Sequence, residues 1–145
     1  MKKRLILVAG FICSFMLLHA QSWQTDFEKA KELSAKESKP IVMVFQGSDW
    51  CASCIKLDRE VWSTDEFKTY ANDHFVMLKV DFPRKKSNEL SAEQEAKNKS
   101  LAEAYNKNGF FPLVVILDKD GKVKGQTGYK QMTPGDYIQH LISFK

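Results

Sequence analysis

Cys51 and Cys54, three positions apart, are the residues of this chain best suited to chemistry. A thiolate attacks disulfides, and two thiols at this spacing also close on each other. So short a ring constrains the unfolded chain very little, so as a structural staple the pair stabilises only at the low end of the usual range. Spacing therefore favours chemistry over stapling. Soft-metal capture, for instance of Cu(I), stays open beside redox exchange, although neither His nor Met adjoins the pair. His74 and His140 lie far from it in sequence and read as surface or packing residues. The chain has no Walker loop and no dinucleotide fingerprint.

The elements around the pair are punctuated clearly. Ile41 to Phe45 is a continuous apolar run rich in branched residues, as in a strand covered on both faces. Gly47-Ser48-Asp49 breaks it, and a helix is predicted from about Cys51 with Ile55, Leu57 and Val61 inward. Upstream, residues 24–38 have amphipathic helical spacing, stopped by Lys39-Pro40. Downstream, Ser63 three before Glu66 fits a capping box for a short helix packing Phe67, Tyr70 and Ala71. Residues 75–82 read as a strand ended by Pro83. A long helix is expected within 88–107, burying Leu90, Ala96, Leu101, Ala104 and Tyr105. Phe110-Phe111-Pro112 leads into a third strand, Leu113 to Leu117. The Asp120-Gly121 turn then predicts an antiparallel partner over about 122–126. Thr133 to Asp136 opens a last helix with Tyr137, Ile138, Leu141 and Ile142 facing the sheet. This order defines an α/β layered domain with a mixed sheet.

At 145 residues there is room for one domain. Residues 1–20 stand apart from it: Lys2-Lys3-Arg4 is followed by an apolar stretch from Leu5 to Leu18, with Ala20 at the expected cut. That order is expected of a secretory signal peptide, and the stretch is short for a membrane span. The domain is then 21–145, and the protein is exported to a periplasmic or other extracytoplasmic space. The 22 basic and 18 acidic residues become 19 and 18 once Lys2, Lys3 and Arg4 are removed. Such a balance argues against nucleic acid, and Arg84-Lys85-Lys86 reads as a solvated loop. Cys13 falls in the discarded segment, which leaves Cys51 and Cys54 free to pair in an oxidising compartment.

Trp50-Cys51-Ala52-Ser53-Cys54, placed after a buried strand and opening a helix, resembles the active site of the thioredoxin-like family. Asp81 at the end of the next strand, Phe111-Pro112, the Asp-Gly hairpin and Gly128-Tyr129 before the last helix follow in the family's order. The resemblance spans residues 24–144 and implies a central mixed sheet of four to five strands flanked by helices. It implies that Pro112 is cis and packs on the redox pair, and that Phe111 offers backbone hydrogen bonds to a bound peptide. Trp50 and Gly128 match positions lining the apolar groove for substrate. Cys51, at a helix N-terminus that favours negative charge, is expected to be the exposed, partly ionised nucleophile. Cys54, shielded one turn further in, would resolve the mixed disulfide. Phe45 and Met77 stand where the family often carries a buried acid and a buried lysine. The expected function is a protein thiol–disulfide oxidoreductase needing no cofactor and holding no metal. It would act as a monomer on protein or peptide substrates, with a membrane electron donor. The direction leans to reduction, and the alternative is a thioredoxin-fold binding protein without turnover.

Overall fold

The computed structural model describes residues 22–144; the expected signal segment lies outside them. Helix α1 (Phe27–Glu37) is capped by Asp26, whose carboxylate accepts from the Lys29 N–H at 3.0 Å. Ser38, in the left-handed region at φ 55°, ends the helix and turns the chain toward Pro40. Strand β1 (Ile41–Gln46) is buried along its whole length. After it come α2 (Ala52–Leu57), a π-helical turn (Asp58–Trp62) and α3 (Asp65–His74). Strand β2 (Val76–Asp81), α4 (Ala92–Tyr105), β3 (Leu113–Leu117), β4 (Val123–Thr127) and α5 (Pro134–Ile142) complete the order.

The sheet runs β2-β1-β3-β4, with β1 parallel to β2 and antiparallel to β3, and β4 antiparallel to β3. It therefore has four strands. Gln24 adds a single parallel bridge beside Leu78, its N–H reaching the Met77 carbonyl at 2.8 Å. The twofold alternation of strands sorts the core. Val42, Val44, Met77, Val114 and Ile116 face α3, α5 and the π-helical turn. Ile41, Met43, Phe45, Leu78, Val80, Val115 and Leu117 face α1 and α4. Helices thus cover both faces, which is why the strands read as unbroken apolar runs.

Several expectations are corrected here. Ile55 is 46% exposed, because Cys54 takes the inward position one turn before Leu57 and Val61. The π-helical turn brings Trp62 inward as well, against Phe67 and Tyr137. The cap of α3 is Thr64, whose hydroxyl accepts from the Phe67 N–H, not Ser63. The helix expected within 88–107 is only Ala92–Tyr105, after a short 3-10 turn at Lys86–Asn88. Ala96 and Ala104 are exposed, and its inner face carries Asn98 and Leu101 instead. Asn98 is buried with both ends of its amide bonded: it donates to the Asp81 carbonyl at 2.8 Å and accepts from Gln94 at 2.9 Å.

Candidate redox site

The register places four loops at one end of the sheet. These follow β1, β2 and β4 and precede β3, because Gln46 pairs with Asp81, Phe45 with Leu113, and Val114 with Thr127. The first of them carries the cysteines, and two carboxylates fix it. Asp81 accepts from the Ser48 N–H at 2.9 Å and from its hydroxyl at 2.6 Å. Asp49 accepts from the N–H groups of Arg84 and Lys85 at 2.9 and 3.0 Å and from the Asn88 amide at 2.9 Å. These bonds, the Arg84 N–H foremost, hold the Asp49 carboxyl below its ordinary pKa. Between the two acids, the Trp50 indole N–H donates to the Phe82 carbonyl at 2.6 Å. The Trp50 ring lies over Gly47, where a Cβ would come within 2.2 Å of it, so only glycine fits there.

Cys51 is the N-cap of α2. Its Sγ accepts from the Cys54 N–H at 3.2 Å and lies 3.6 Å from the Ser53 hydroxyl. The two cysteines form a disulfide with their Cα atoms 5.2 Å apart. Cys51 is 6% exposed and Cys54 4%, so the expected contrast between an open and a shielded sulfur is absent from the disulfide form. Beside the pair, the Trp50 and Phe111 rings meet edge to face at 5.5 Å.

Phe111-Pro112 is a cis peptide, as the resemblance implies. Asn106 builds its approach, exchanging two 2.9 Å hydrogen bonds with the Phe110 backbone and closing the loop from which Phe110 projects, 58% exposed. Phe111 is half-buried between Trp50 and Phe82, and its carbonyl accepts from Ser53 at 3.5 Å. Ser53 thereby touches both the redox pair and the proline loop. Gly128 backs Pro112 closely, since a Cβ there would lie 3.2 Å from the proline carbonyl. The Gly128 carbonyl in turn accepts from the Tyr137 hydroxyl at 2.8 Å. Burial raises the Tyr137 phenol pKa well above its ordinary value.

Cys51, Cys54, Trp50, Phe111, Pro112 and Gly128 are thus gathered at one end of the sheet through these contacts. His74 stacks on Tyr70 and His140 lies 2.9 Å from the Thr127 hydroxyl, so each has a local partner of its own. Phe45 and Met77 are buried in the apolar core. Asp49 and Asn106 went unread, although the Asn108-Gly109 turn beside Asn106 carries a signal. The loop at residues 84–86 is exposed as expected, but not merely solvated: the Arg84 guanidinium lies 3.7 Å from the Trp50 ring centre.

A parallel-and-antiparallel four-stranded sheet with a CxxC disulfide at the mouth of α2, facing a cis-proline loop, defines a thioredoxin-type exchange protein. A thioredoxin-like family profile matches residues 22–119, and the chain belongs to that family. Among its relatives is the disulfide bond reductase DsbH of Chlamydia pneumoniae, 36% identical over 121 residues, which span 83% of this chain and 70% of that protein. A solved structure of a DsbH oxidoreductase superposes with a TM-score of 0.79 at 31% identity, covering 99% of this chain and 94% of the other. A thioredoxin from Thermus thermophilus shares the fold at 16% identity, with a TM-score of 0.62 over 86% of each chain. The protein is a thiol–disulfide oxidoreductase.

Proposed function

We propose that the protein is an exported reductase of disulfides in other proteins, with Cys51 as nucleophile and Cys54 as resolving thiol. The observation that carries this is the Cys51 sulfur at the helix cap, accepting the Cys54 N–H at 3.2 Å. That donor, with the helix dipole behind it, favours a thiolate at Cys51 once the pair is reduced. The thiolate attacks one sulfur of a substrate disulfide, and the departing substrate sulfur takes up a proton. Cys54 then loses its proton and attacks the Cys51 sulfur, which releases the second substrate thiol. Two electrons have passed to the substrate, and the protein is left as the disulfide. With Phe45 and Met77 apolar, neither of these positions supplies an acceptor for the Cys54 proton. Trp50, Phe111, Pro112 and Gly128 line the groove in which the substrate segment lies.

The protein works as a single copy without a cofactor, and a dithiol partner at the membrane recharges it. Among the described residues no helix is long and apolar enough to cross a membrane. Relatedness to a disulfide bond reductase supports the direction. Equilibration against glutathione buffers tests it: a reductase has a potential near or below about −250 mV, and a value of about −120 to −180 mV would make it an oxidant or isomerase. Cys54→Ser is expected to accumulate a mixed disulfide with a model protein substrate, visible by mass spectrometry under non-reducing conditions. Absence of that adduct in Cys54→Ser, or its accumulation in Cys51→Ser instead, would overturn the assignment of roles.

A further inference from the structure

The loop after β2 is bound to the redox turn more firmly than a solvated loop requires. Asp49, two residues before Cys51, takes three hydrogen bonds from it, and the Arg84 guanidinium carbon sits 3.7 Å from the Trp50 ring centre, next to Cys51. The loop therefore holds its charges beside Trp50 and the redox turn. Arg84, Lys85 and Lys86 are exposed, and among the described residues none has a carboxylate within salt-bridge distance.

The neighbouring loops repeat the sign. Lys107 stands exposed in the loop leading to Phe110, and Lys130 in the loop after Gly128. The acids at this end include Asp49, Asp81, Glu89 and Glu60; the first two already face the N–H donors described above, and Glu60 accepts from the Tyr129 hydroxyl at 2.8 Å. Residues 22–144 carry 18 basic and 18 acidic side chains, so this positive end has no counterpart in the overall charge. Aromatic surface lies beside the cations, with Phe110 58% exposed.

We propose that this end of the molecule is a docking surface for protein segments whose disulfide is flanked by acidic residues, and that Arg84, Lys85 and Lys86 set this preference. The inference rests on the exchange reaction proposed above. Cations held at the rim of a cleft steer an oppositely charged partner and raise its rate of encounter, an effect that salt screens. Aspartate or glutamate near the substrate cysteines would meet the loop while an apolar neighbour meets Phe110.

The test uses three peptides of equal length, each with one internal disulfide and acidic, neutral or basic flanks. Rates of reduction by the reduced protein are measured at low and at physiological ionic strength. The acidic peptide is expected to react about tenfold faster than the basic one at low salt, with the ratio shrinking as salt rises. In the triple variant Arg84→Glu/Lys85→Glu/Lys86→Glu the order of the peptides, each rate divided by that of the neutral peptide, should invert. Thermal melting of the variant checks that it is folded, and the salt dependence of the wild-type protein tests the same idea with no substitution. Equal rates for the three peptides, a basic preference, or an acidic preference that survives in the folded triple variant would each overturn the docking surface. Binding to vesicles rich in anionic lipid, without discrimination among the peptides, would overturn it in favour of a membrane surface. These outcomes leave the exchange reaction standing. Failure to reduce any of the three peptides would overturn both readings together.

Discussion

Single side chains near the site do their work through backbone groups. Tyr137 shows this best: from α5 it reaches through the core to the Gly128 carbonyl, and so supports the glycine that backs Pro112. Tyr137→Phe leaves that acceptor without its donor, which costs about 1–3 kcal/mol at neutral pH. The sign of its pH dependence follows from burial. The folded phenol keeps its proton, whereas in the unfolded chain it ionises near pH 10. The unfolded state then binds fewer protons, so this residue's contribution to stability is present below about pH 10 and is lost as pH rises further. Urea midpoints of the wild type and Tyr137→Phe should therefore keep their separation up to about pH 10 and converge above it. At this scale the sequence was legible where chemistry and spacing coincide, in Trp50, Cys51, Cys54, Phe111 and Pro112. Tyr137 was legible only as a core residue, because the partner of its hydroxyl depends on how α5 lies over the loop after β4.

The strands were legible because they are buried on both faces and so carry no polar interruption. The helices were legible in order but less so in register. In α4 the inner face is built on Asn98, Leu101, Ala102 and Tyr105, and a buried asparagine conceals the apolar period. Its reason to be buried is the Asp81 carbonyl at the end of β2, which sequence does not reveal. The loop at 84–86 was legible as exposed, but its anchoring was not. Its charges suggest water, while its N–H groups are committed to Asp49. Asp49→Ala is expected to free this loop without unfolding the domain. Hydrogen exchange should then show faster exchange at the Arg84 and Lys85 amides, with the β1 and β3 amides unchanged. Slow exchange at both amides in the variant would mean that the Trp50 contacts alone hold the loop. The carboxyl's lowered pKa adds a second signature. The stabilisation is present above about pH 4 and fades as pH falls through the folded value, so the same amides should lose protection in acid.

For the molecule as a whole, the division of labour between the two faces of the sheet leaves one end for chemistry and the rest for support. Both core layers are apolar, and the buried polar residues Ser34, Gln46, Asn98 and Asn106 carry no charge at any pH. Of the buried residues among those described, Tyr137 and the two cysteines are the ones that titrate, and the phenol holds its proton well past neutrality. That apolar interior, with Phe45 and Met77 where acid and base are common, has an electrochemical consequence. Over the neutral range the thiols themselves are then the buried groups, among the described residues, whose proton occupancy is expected to change with oxidation state. Two electrons then travel with two protons, and the midpoint potential should fall along a straight line of about 59 mV per pH unit. The line should bend once, to half that slope, where the Cys51 thiol begins to ionise in the reduced protein. A titration of potential against pH thus measures the ionisation of a single sulfur, with no carboxylate in the core to blur the break.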